Sequence, residues 1–143
     1  MIKREDLRIR DPFILTDREN NCYYMYGTTD LEVGSLQARN TFSVYKSYDL
    51  EYVDEPKVVV DGAKLGFWAD RDFWAPEVHF YNGKYYLFGS CIAEGKCRAT
   101  QIFVCDTPDG EFVPLSDKPF FAPGYSVIDA SLLFDDDGRI YWY

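Results

Sequence analysis

The chain is 143 residues long, with 47% hydrophobic residues, 18% aromatic residues and a net charge of -9. This length suits a single domain, and the apolar content is sufficient for a packed core. The negative charge argues against a nucleic acid partner and against an anionic membrane, because both require a basic surface. A neutral ligand is compatible with an acidic, aromatic-rich protein.

The sequence also argues against a membrane-spanning protein and against a secreted protein rich in disulfides. No segment approaches the roughly 20 apolar residues of a membrane span, and the N-terminal MIKREDLRIRDP lacks the apolar part of a signal peptide. The cysteines contain no CxxC pair and no spacing that forms a metal site with the single histidine, His79. We expect reduced thiols, a cytoplasmic location, and neither a cofactor nor a metal; disulfides are the alternative. The cysteines are Cys22, Cys91, Cys97 and Cys105.

The first predicted element is a β-hairpin that follows a short polar lead at residues 1–10. Residues 11–15, DPFIL, lead into a polar turn, and residues 22–27, CYYMYG, return as the partner strand. Pro12 fixes its own φ and disfavours the helical region for the preceding residue, which predicts an extended backbone at Asp11. Turn capping is the alternative role for this carboxylate.

Two further strands are predicted before the second hairpin. Residues 27–39 predict a surface loop near the start of the first hairpin. Residues 41–47, TFSVYKS, predict a strand because they are rich in aromatic and β-branched side chains. The β-branched run at residues 58–60 predicts an outer strand that ends at the turn Asp61-Gly62.

The second hairpin is predicted at residues 72–89, DFWAPEVHFYNGKYYLFG. Residues 77–81 alternate polar and apolar side chains, as a half-buried strand does. Asn82-Gly83 favours a type I′ turn, because that turn needs positive φ at both central residues. Residues 101–106 then predict a third strand, followed by a turn and a strand at residues 107–112.

The third hairpin follows a proline-rich segment at residues 113–124 that predicts an extended connection. Residues 129–134, DASLLF, form its first strand, residues 135–138, DDDG, its turn, and residues 139–143, RIYWY, the start of its second strand. The chain ends within this strand, and soluble proteins avoid an unpaired apolar strand edge. We therefore expect these residues to be part of a larger fold or half of a composite one.

The three hairpins are copies of one unit, in which Pro12, Pro76 and Ala130 occupy the same place. They lie 64 and 54 residues apart, and a long repeat of this kind is typical of propeller blades, each a four-stranded antiparallel sheet. The sequence predicts an all-β, single partial domain of about two and a half blades, whereas a closed propeller has about four or more. Blade 1 is predicted at residues 9–62, blade 2 at residues 72–122, and the start of blade 3 at residues 125–143.

Three motifs occur in order across residues 9–143: IRDPFIL with YYMYGT, FWAPEVHFYNGKYYLFGS, and VIDASLLFDDDGRIYWY. Each is unspecific alone, but their order and spacing together resemble family 43 of the glycoside hydrolases. The resemblance implies a five-bladed β-propeller with its active site in the axial funnel. It also implies an inverting hydrolase of β-xylosides, α-L-arabinofuranosides or arabinans.

The resemblance assigns roles to two carboxylates at equivalent places in their hairpins. Asp11 matches the general base of the family, in its Arg-Asp-Pro motif. Asp129 matches the second Asp of the family, which raises the pKa of the general acid and orients it. The general acid of the family is a Glu in the following blade, and the chain ends before that position. The later family His, which lies near a metal, also has no counterpart, since His79 lies inside the second hairpin.

The equivalent place in the second hairpin is occupied by Trp74-Ala75 rather than by an acid. An aromatic side chain there provides a wall for sugar stacking, so Trp74 is predicted to bind substrate; packing between blades is the alternative. Glu77 follows Ala75-Pro76, at a position where the family carries an acidic residue that is not the general acid. We predict that Glu77 is a hydrogen-bonded structural carboxylate.

Three functions are compatible with these features. The first is an inverting glycosidase of xylose- or arabinose-containing glycans, such as a β-xylosidase or α-L-arabinofuranosidase, of which these 143 residues alone are expected to be inactive. The second is a non-catalytic carbohydrate-binding propeller piece, completed by another copy of itself or by another chain. The third is a structural remnant that assembles only to cover its open edges. The expected partners are a carbohydrate and either a second copy or the remainder of the propeller.

Overall fold

The computed structural model describes residues 1–29 and 40–143, and nearly all regular structure in these residues is β-strand. This confirms the all-β fold class predicted from the sequence. The helical elements described are a short 3-10 turn at Arg4–Asp6 and α1 at Gly62–Leu65. The strands are β1 Ile2–Lys3, β2 Ile9–Asp17, β3 Cys22–Thr29, β4 Thr41–Ser47, β5 Tyr52–Val53, β6 Lys57–Asp61, β7 Arg71–Tyr81, β8 Lys84–Ile92, β9 Ala99–Cys105, β10 Val113–Pro114, β11 Leu132–Phe134 and β12 Ile140–Trp142.

The strands form three antiparallel sheets that follow one another along the chain. The first sheet has the order β1-β5-β4-β3-β2, with β6 also paired to β4; the second has the order β10-β9-β8-β7; and the third pairs β11 with β12. Each sheet contains one of the three predicted hairpins. The loop predicted at residues 27–39 begins later than expected because β3 extends to Thr29, and residues 30–39 lie outside the described residues.

The N-terminal residues contribute more than the polar lead that the sequence predicted. Ile2 pairs with Val53, so β1 adds an edge strand to the first sheet. Ile2 and Leu7 also pack against a small cluster on the outer face of this sheet. The sequence signal was weak because only two residues of β1 pair and charged side chains separate the two apolar ones. The buried residues of this cluster are Met25, Tyr45 and Val53.

The predicted type I′ turn connects β7 to β8. Asn82 has φ 47° and Gly83 has φ 79°, so both central residues lie in the left-handed region that this turn requires. Register then pairs Tyr81 with Lys84 and Phe80 with Tyr85 up the hairpin. The turn chemistry therefore fixes which residues of β7 face the core, because a shift of one residue would exchange the two faces.

The main core lies between the first and second sheets. Phe42 of β4 is fully buried, and its ring centroid lies 5.5 Å from that of Phe73 and 6.2 Å from that of Phe103. Gly89 of β8 allows this approach, since a Cβ there would lie 2.5 Å from the Phe42 ring. The two sheets thus pack face to face through aromatic rings, which accounts for the aromatic excess of the sequence.

The fourth strand of the second sheet is shorter than predicted and lies later in the chain. It is β10, Val113–Pro114, which pairs with Val104 and Phe103 of β9. Pro114 has no N–H to donate to a further strand, which suits the edge of a sheet. The strand predicted at residues 107–112 is mostly turn, and Phe112 instead joins the first sheet through its N–H to the Val59 carbonyl at 2.7 Å.

Candidate active site

Three residues at the start of the three hairpins share one unusual backbone conformation. Asp11 has φ 49°, Ala75 has φ 47° and Asp129 has φ 58°, all in the left-handed region. We call these three residues the mouth positions. The extended backbone predicted at Asp11 is therefore wrong. Pairing of β2 with β3 shifts register between Arg10 and Phe13, and this bulge imposes the left-handed conformation although a proline follows.

The same irregularity occurs at the second mouth position. Pairing of β7 with β8 shifts register between Trp74 and Glu77, around Ala75. A left-handed conformation costs a non-glycine residue about 1–2 kcal/mol, so the surrounding structure must stabilise it. Bulges of this kind re-aim side chains at the rim of a sheet. The repeat therefore extends from sequence to backbone geometry.

The second and third mouth positions each accept support from a different buried hydroxyl, to which the backbone N–H donates a hydrogen bond. Thr28 Oγ1, on β3, accepts a hydrogen bond from the Ala75 N–H at 2.9 Å. Ser90 Oγ, on β8, accepts one from the Asp129 N–H at 3.0 Å. Each hydroxyl thus joins its own sheet to the hairpin that follows, and the three mouth positions lie at the same end of consecutive hairpins.

The two predicted catalytic carboxylates are both exposed to solvent. Asp11 Oδ2 lies 3.5 Å from Thr28 Oγ1, the hydroxyl that also contacts the second hairpin. The segment before Asp129 is fixed to Arg98: the Val127 N–H donates to the Arg98 carbonyl at 3.1 Å. Asp11 and Asp129 therefore lie at the same end of their hairpins, each accessible to water and each on a constrained backbone.

Trp74 is supported from one side by an arginine that the sequence did not indicate. The guanidinium carbon of Arg98 lies 3.4 Å from the centroid of the Trp74 ring. The Arg98 side chain is only 6% exposed, whereas Trp74 is 36% exposed. A cation stacked on one ring face leaves the other face available for a ligand.

The side chain of Arg98 is itself held by two backbone carbonyls and by a carboxylate. Its Nη1 donates to the Asp72 carbonyl at 2.5 Å and to the Ser90 carbonyl at 3.3 Å, and its Nη2 lies 3.7 Å from Asp72 Oδ2. Burial lowers the pKa of the Arg98 guanidinium from its ordinary value, while the carboxylates of Asp72 and Asp129 act in the opposite direction. The guanidinium keeps its proton in any case. Arg98 therefore connects Trp74 to the strand that carries Ser90.

Glu77 connects the second sheet to the third hairpin, as a structural carboxylate does. Its Oε1 accepts from the Leu132 N–H at 2.9 Å and from Ser131 Oγ at 3.2 Å, and lies 2.5 Å from His79 Nε2. Burial raises the pKa of Glu77, but these hydrogen bonds outweigh it, so the pKa lies below its ordinary value. A carboxylate whose ionised form is favoured by hydrogen bonds is poorly suited to donate a proton.

His79 belongs to packing between hairpins rather than to the mouth. Its ring centroid lies 5.5 Å from that of Phe13 and 5.2 Å from that of Phe134. It also lines a cavity of about 290 Å³ between the second sheet and the third hairpin, whose other lining side chains are aromatic or aliphatic. Neither Asp11 nor Asp129 lines this cavity, so we regard it as a packing gap.

Within residues 1–29 and 40–143, no three His, Cys, Asp or Glu side chains are grouped to hold a metal ion. All four cysteines are free thiols, of which Cys22 and Cys91 are buried. Across the same part of the chain, no helix has the length and apolar character needed to cross a membrane.

The fold and sequence are similar to those of known enzymes. The chain is 29% identical to a xylosidase/arabinosidase 43A of Humicola insolens, an alignment that covers 87% of this chain and 40% of that protein. It is also 29% identical to an extracellular endo-α-(1→5)-L-arabinanase of Bacillus subtilis, over 92% of this chain and 41% of that protein. The chain thus spans about two fifths of the length of these curated relatives.

Solved structures show the same likeness. An endo-arabinase from Bacteroides thetaiotaomicron superposes with a TM-score of 0.85 and 37% identity, over 99% of this chain and 46% of that one. A family 43 enzyme from Xanthomonas citri in complex with xylotriose superposes with a TM-score of 0.77 and 28% identity, over 96% and 40%. The predicted five-bladed type of β-propeller is confirmed by these neighbours. The family model of the glycosyl hydrolases family 43 matches residues 6–143, and the chain belongs to that family.

Proposed function

We propose that the protein is an inverting glycoside hydrolase of xylose- or arabinose-containing glycans, with Asp11 as the general base. The observation that carries this proposal is the placement of two exposed carboxylates, Asp11 and Asp129, at equivalent and constrained mouth positions. The relatives support the substrate class, since those described above are named xylosidase/arabinosidase and arabinanase. A β-xylosidase and an α-L-arabinofuranosidase are the specific activities we expect.

The chemistry divides between two faces of the sugar. Asp11, open to solvent, accepts a proton from a water molecule as that water attacks the anomeric carbon. A general acid on the opposite face protonates the leaving oxygen, and inversion requires the two carboxyl groups to be roughly 6.5–9.5 Å apart. Asp129 assists by like-charge repulsion, which keeps that acid protonated near neutral pH.

We assign the general acid to a residue outside these 143. Among the mouth positions, the second is Ala75, which has no titratable side chain. Glu77 lies nearby, but its Oε1 accepts hydrogen bonds from the third hairpin and its pKa is lowered. The described residues therefore supply the base and the group that tunes the acid, and the 143-residue chain alone should not turn over substrate.

Further strands from the same protein, or a second copy of the chain, are proposed to cover the third hairpin. Leu133 and Tyr141 pair across this hairpin on the same face, and both are exposed. An apolar hairpin face of this kind is normally packed against another sheet. Light scattering distinguishes the two arrangements, because only the second gives a dimer.

A cytoplasmic location stays a prediction.

Trp74 is proposed to form the wall against which a sugar ring stacks. One ring face rests on Arg98, and 36% of the residue is exposed at the mouth of the second hairpin. The apolar face of a pyranose or furanose packs well on such a platform. Because this platform exists without the general acid, it also favours a second candidate function, a non-catalytic sugar-binding propeller. Binding without product release would support that alternative.

The test of the proposed function is Asp11→Asn in the complete enzyme. The amide cannot accept a proton from water, so we expect hydrolysis of aryl-xylosides and aryl-arabinofuranosides to fall at least about 10³-fold. Asp54→Asn is the matched control, because Asp54 is an exposed carboxylate between β5 and β6. Near-normal turnover by Asp11→Asn would show that Asp11 is not the base.

A further inference from the structure

A buried hydroxyl from one sheet contacts the mouth of the next hairpin at two places in the chain. Thr28 follows Gly27 in β3, and Ser90 follows Gly89 in β8, so the two hydroxyls occupy equivalent places in their hairpins. Both are almost fully buried, at 4% and 1% exposure. We propose that Thr28 is a positioning residue for Asp11 and that Ser90 is a positioning residue for Asp129. This inference rests on the proposed function.

The direction of the hydrogen bonds at Thr28 follows from the chemistry of the groups. The Ala75 backbone N–H can only donate, so Thr28 Oγ1 must accept at the observed 2.9 Å. The single hydroxyl proton is then free to point elsewhere, and Asp11 Oδ2 lies 3.5 Å away. That distance is longer than a standard O–H···O hydrogen bond, and closes to one with a small movement of the carboxylate.

Thr28 thereby couples two mouth positions that come from different sheets. Its hydroxyl orients the carboxylate of Asp11, the group proposed to accept a proton from water. Its oxygen stabilises the left-handed backbone at Ala75, next to the Trp74 platform. A valine at position 28 would keep the shape and remove both contacts, leaving the Ala75 N–H without this partner.

Ser90 acts on Asp129 through the backbone. Its Oγ accepts from the Asp129 N–H at 3.0 Å, and its carbonyl accepts from Arg98 Nη1 at 3.3 Å. Ser90 is also the residue paired with Trp74 across β7 and β8. Loss of the hydroxyl would release the constrained backbone at Asp129 and so move its carboxylate relative to the general acid. A displacement of about 1 Å is enough to impair catalysis.

The two contacts predict different changes in the pH–rate profile, which a purely structural role would not produce. In Thr28→Val, the carboxylate of Asp11 loses the hydroxyl that orients it, so kcat should fall at every pH without a shift of the profile. In Ser90→Ala, the acid loses part of the nearby negative charge, so the alkaline limb should move to lower pH. We expect kcat to fall about tenfold in each variant, with KM changed less than about twofold.

The experiment is a pH series of kcat and KM on the complete enzyme with an aryl-arabinofuranoside and an aryl-xyloside. Thr28→Ser retains the hydroxyl and should restore the wild-type profile. Thr41→Val is the matched control, because Thr41 Oγ1 on β4 is buried and has no hydrogen-bond partner among the residues described. If Thr28→Val does not fold, Thr28→Ala provides the same comparison.

Amide hydrogen exchange on the same samples gives a readout that does not depend on turnover. The Ala75 amide should exchange faster in Thr28→Val, in which exchange of the Asp129 amide should be unchanged. The Asp129 amide should exchange faster in Ser90→Ala, in which exchange of the Ala75 amide should be unchanged. Faster exchange with an unchanged kcat in Thr28→Val and an unmoved alkaline limb in Ser90→Ala would reduce both hydroxyls to a structural role and overturn the inference. If the wild-type enzyme hydrolyses neither substrate, both the proposed function and this inference are overturned. An active wild type with Thr28→Val indistinguishable from Thr41→Val would overturn the inference alone.

Discussion

At the scale of single residues, the Trp74 platform has a measurable consequence for sugar binding. In the Asp11→Asn background, which binds without turnover, Trp74→Ala should weaken binding of xylotriose and arabinotriose about tenfold, or ~1.4 kcal/mol. Trp74→Phe retains an aromatic face and should lose less. Isothermal titration calorimetry provides the measurement.

Phe80→Ala is the control for this effect. Phe80 is a more exposed aromatic residue on the same hairpin, but it lies near the Asn82-Gly83 turn, where its ring stacks on Tyr85 at 4.9 Å between centroids. Equal losses of affinity in Trp74→Ala and Phe80→Ala would contradict a specific platform at the mouth.

The sequence predicted the equivalent positions of Asp11 and Asp129 in their hairpins better than it predicted their backbone geometry. Asp11 and Asp129 were expected at equivalent positions, and the structure places them at the same end of their hairpins. The left-handed backbone at Asp11 was missed, because the residue before a proline ordinarily avoids that side of conformational space and a bulge overrides the preference. Arg98 was missed because its contact with Trp74 crosses from a polar loop to another strand, and no local pattern encodes it.

At the scale of the secondary-structure elements, the bulge at Ala75 offers a test of backbone strain. Glycine adopts positive φ without the penalty that alanine bears, and the hydrogen bond from the residue 75 N–H to Thr28 is retained. Ala75→Gly should therefore raise the free energy of unfolding by up to about 1 kcal/mol, despite the greater freedom of glycine in the unfolded chain. Urea denaturation provides the measurement.

Ala63→Gly is the matched control, since Ala63 lies in α1 and has an ordinary negative φ. There the same substitution should lower the free energy of unfolding by roughly 0.5–1 kcal/mol. A loss of stability in Ala75→Gly as large as that in Ala63→Gly would mean that the left-handed backbone carries no cost.

The Glu77 contact between the second sheet and the third hairpin predicts a pH dependence of stability. The pKa of Glu77 lies below its ordinary value of 4.5 in the folded chain. The ionised group therefore stabilises the fold above about pH 4.5, and this contribution is lost as the pH falls through the lowered pKa. Glu77→Gln should lower the free energy of unfolding at pH 7 by about 1–2 kcal/mol and flatten its decline below about pH 5.

Urea unfolding at a series of pH values tests this, with Glu94→Gln as the control for an exposed carboxylate. The decline should be as steep in Glu94→Gln as in the wild type. An unchanged slope in Glu77→Gln would show that Glu77 does not link the sheets through its charge.

The hairpins were the elements most accessible to prediction. Period-two alternation and the Asn82-Gly83 turn are local signals, and β7 and β8 follow them. The short edge strand β1 was missed and β10 was predicted too early in the chain, since two paired residues leave no periodic pattern and their pairing is decided by distant strands. The hairpins therefore follow the prediction more closely than the sheet edges do.

At the scale of the whole molecule, the sheets act as a rigid frame that carries one chemical group per hairpin. Phe42, Phe73 and Phe103 lock the first sheet against the second, and Glu77 fixes the third hairpin to the second sheet. In the proposed function, the three mouth positions carry a base at Asp11, an aromatic platform beside Ala75, and a tuning carboxylate at Asp129.

The most direct test of this account is the anomeric configuration of the first product, followed by proton NMR as the complete enzyme hydrolyses xylotriose or arabinotriose. The account predicts that the released sugar appears with inverted configuration before mutarotation, and that the signal is absent both for Asp11→Asn and for the 143-residue chain alone. Product formed with retained configuration would contradict the assignment of Asp11 as a base that activates water, because retention requires a carboxylate that attacks the sugar directly.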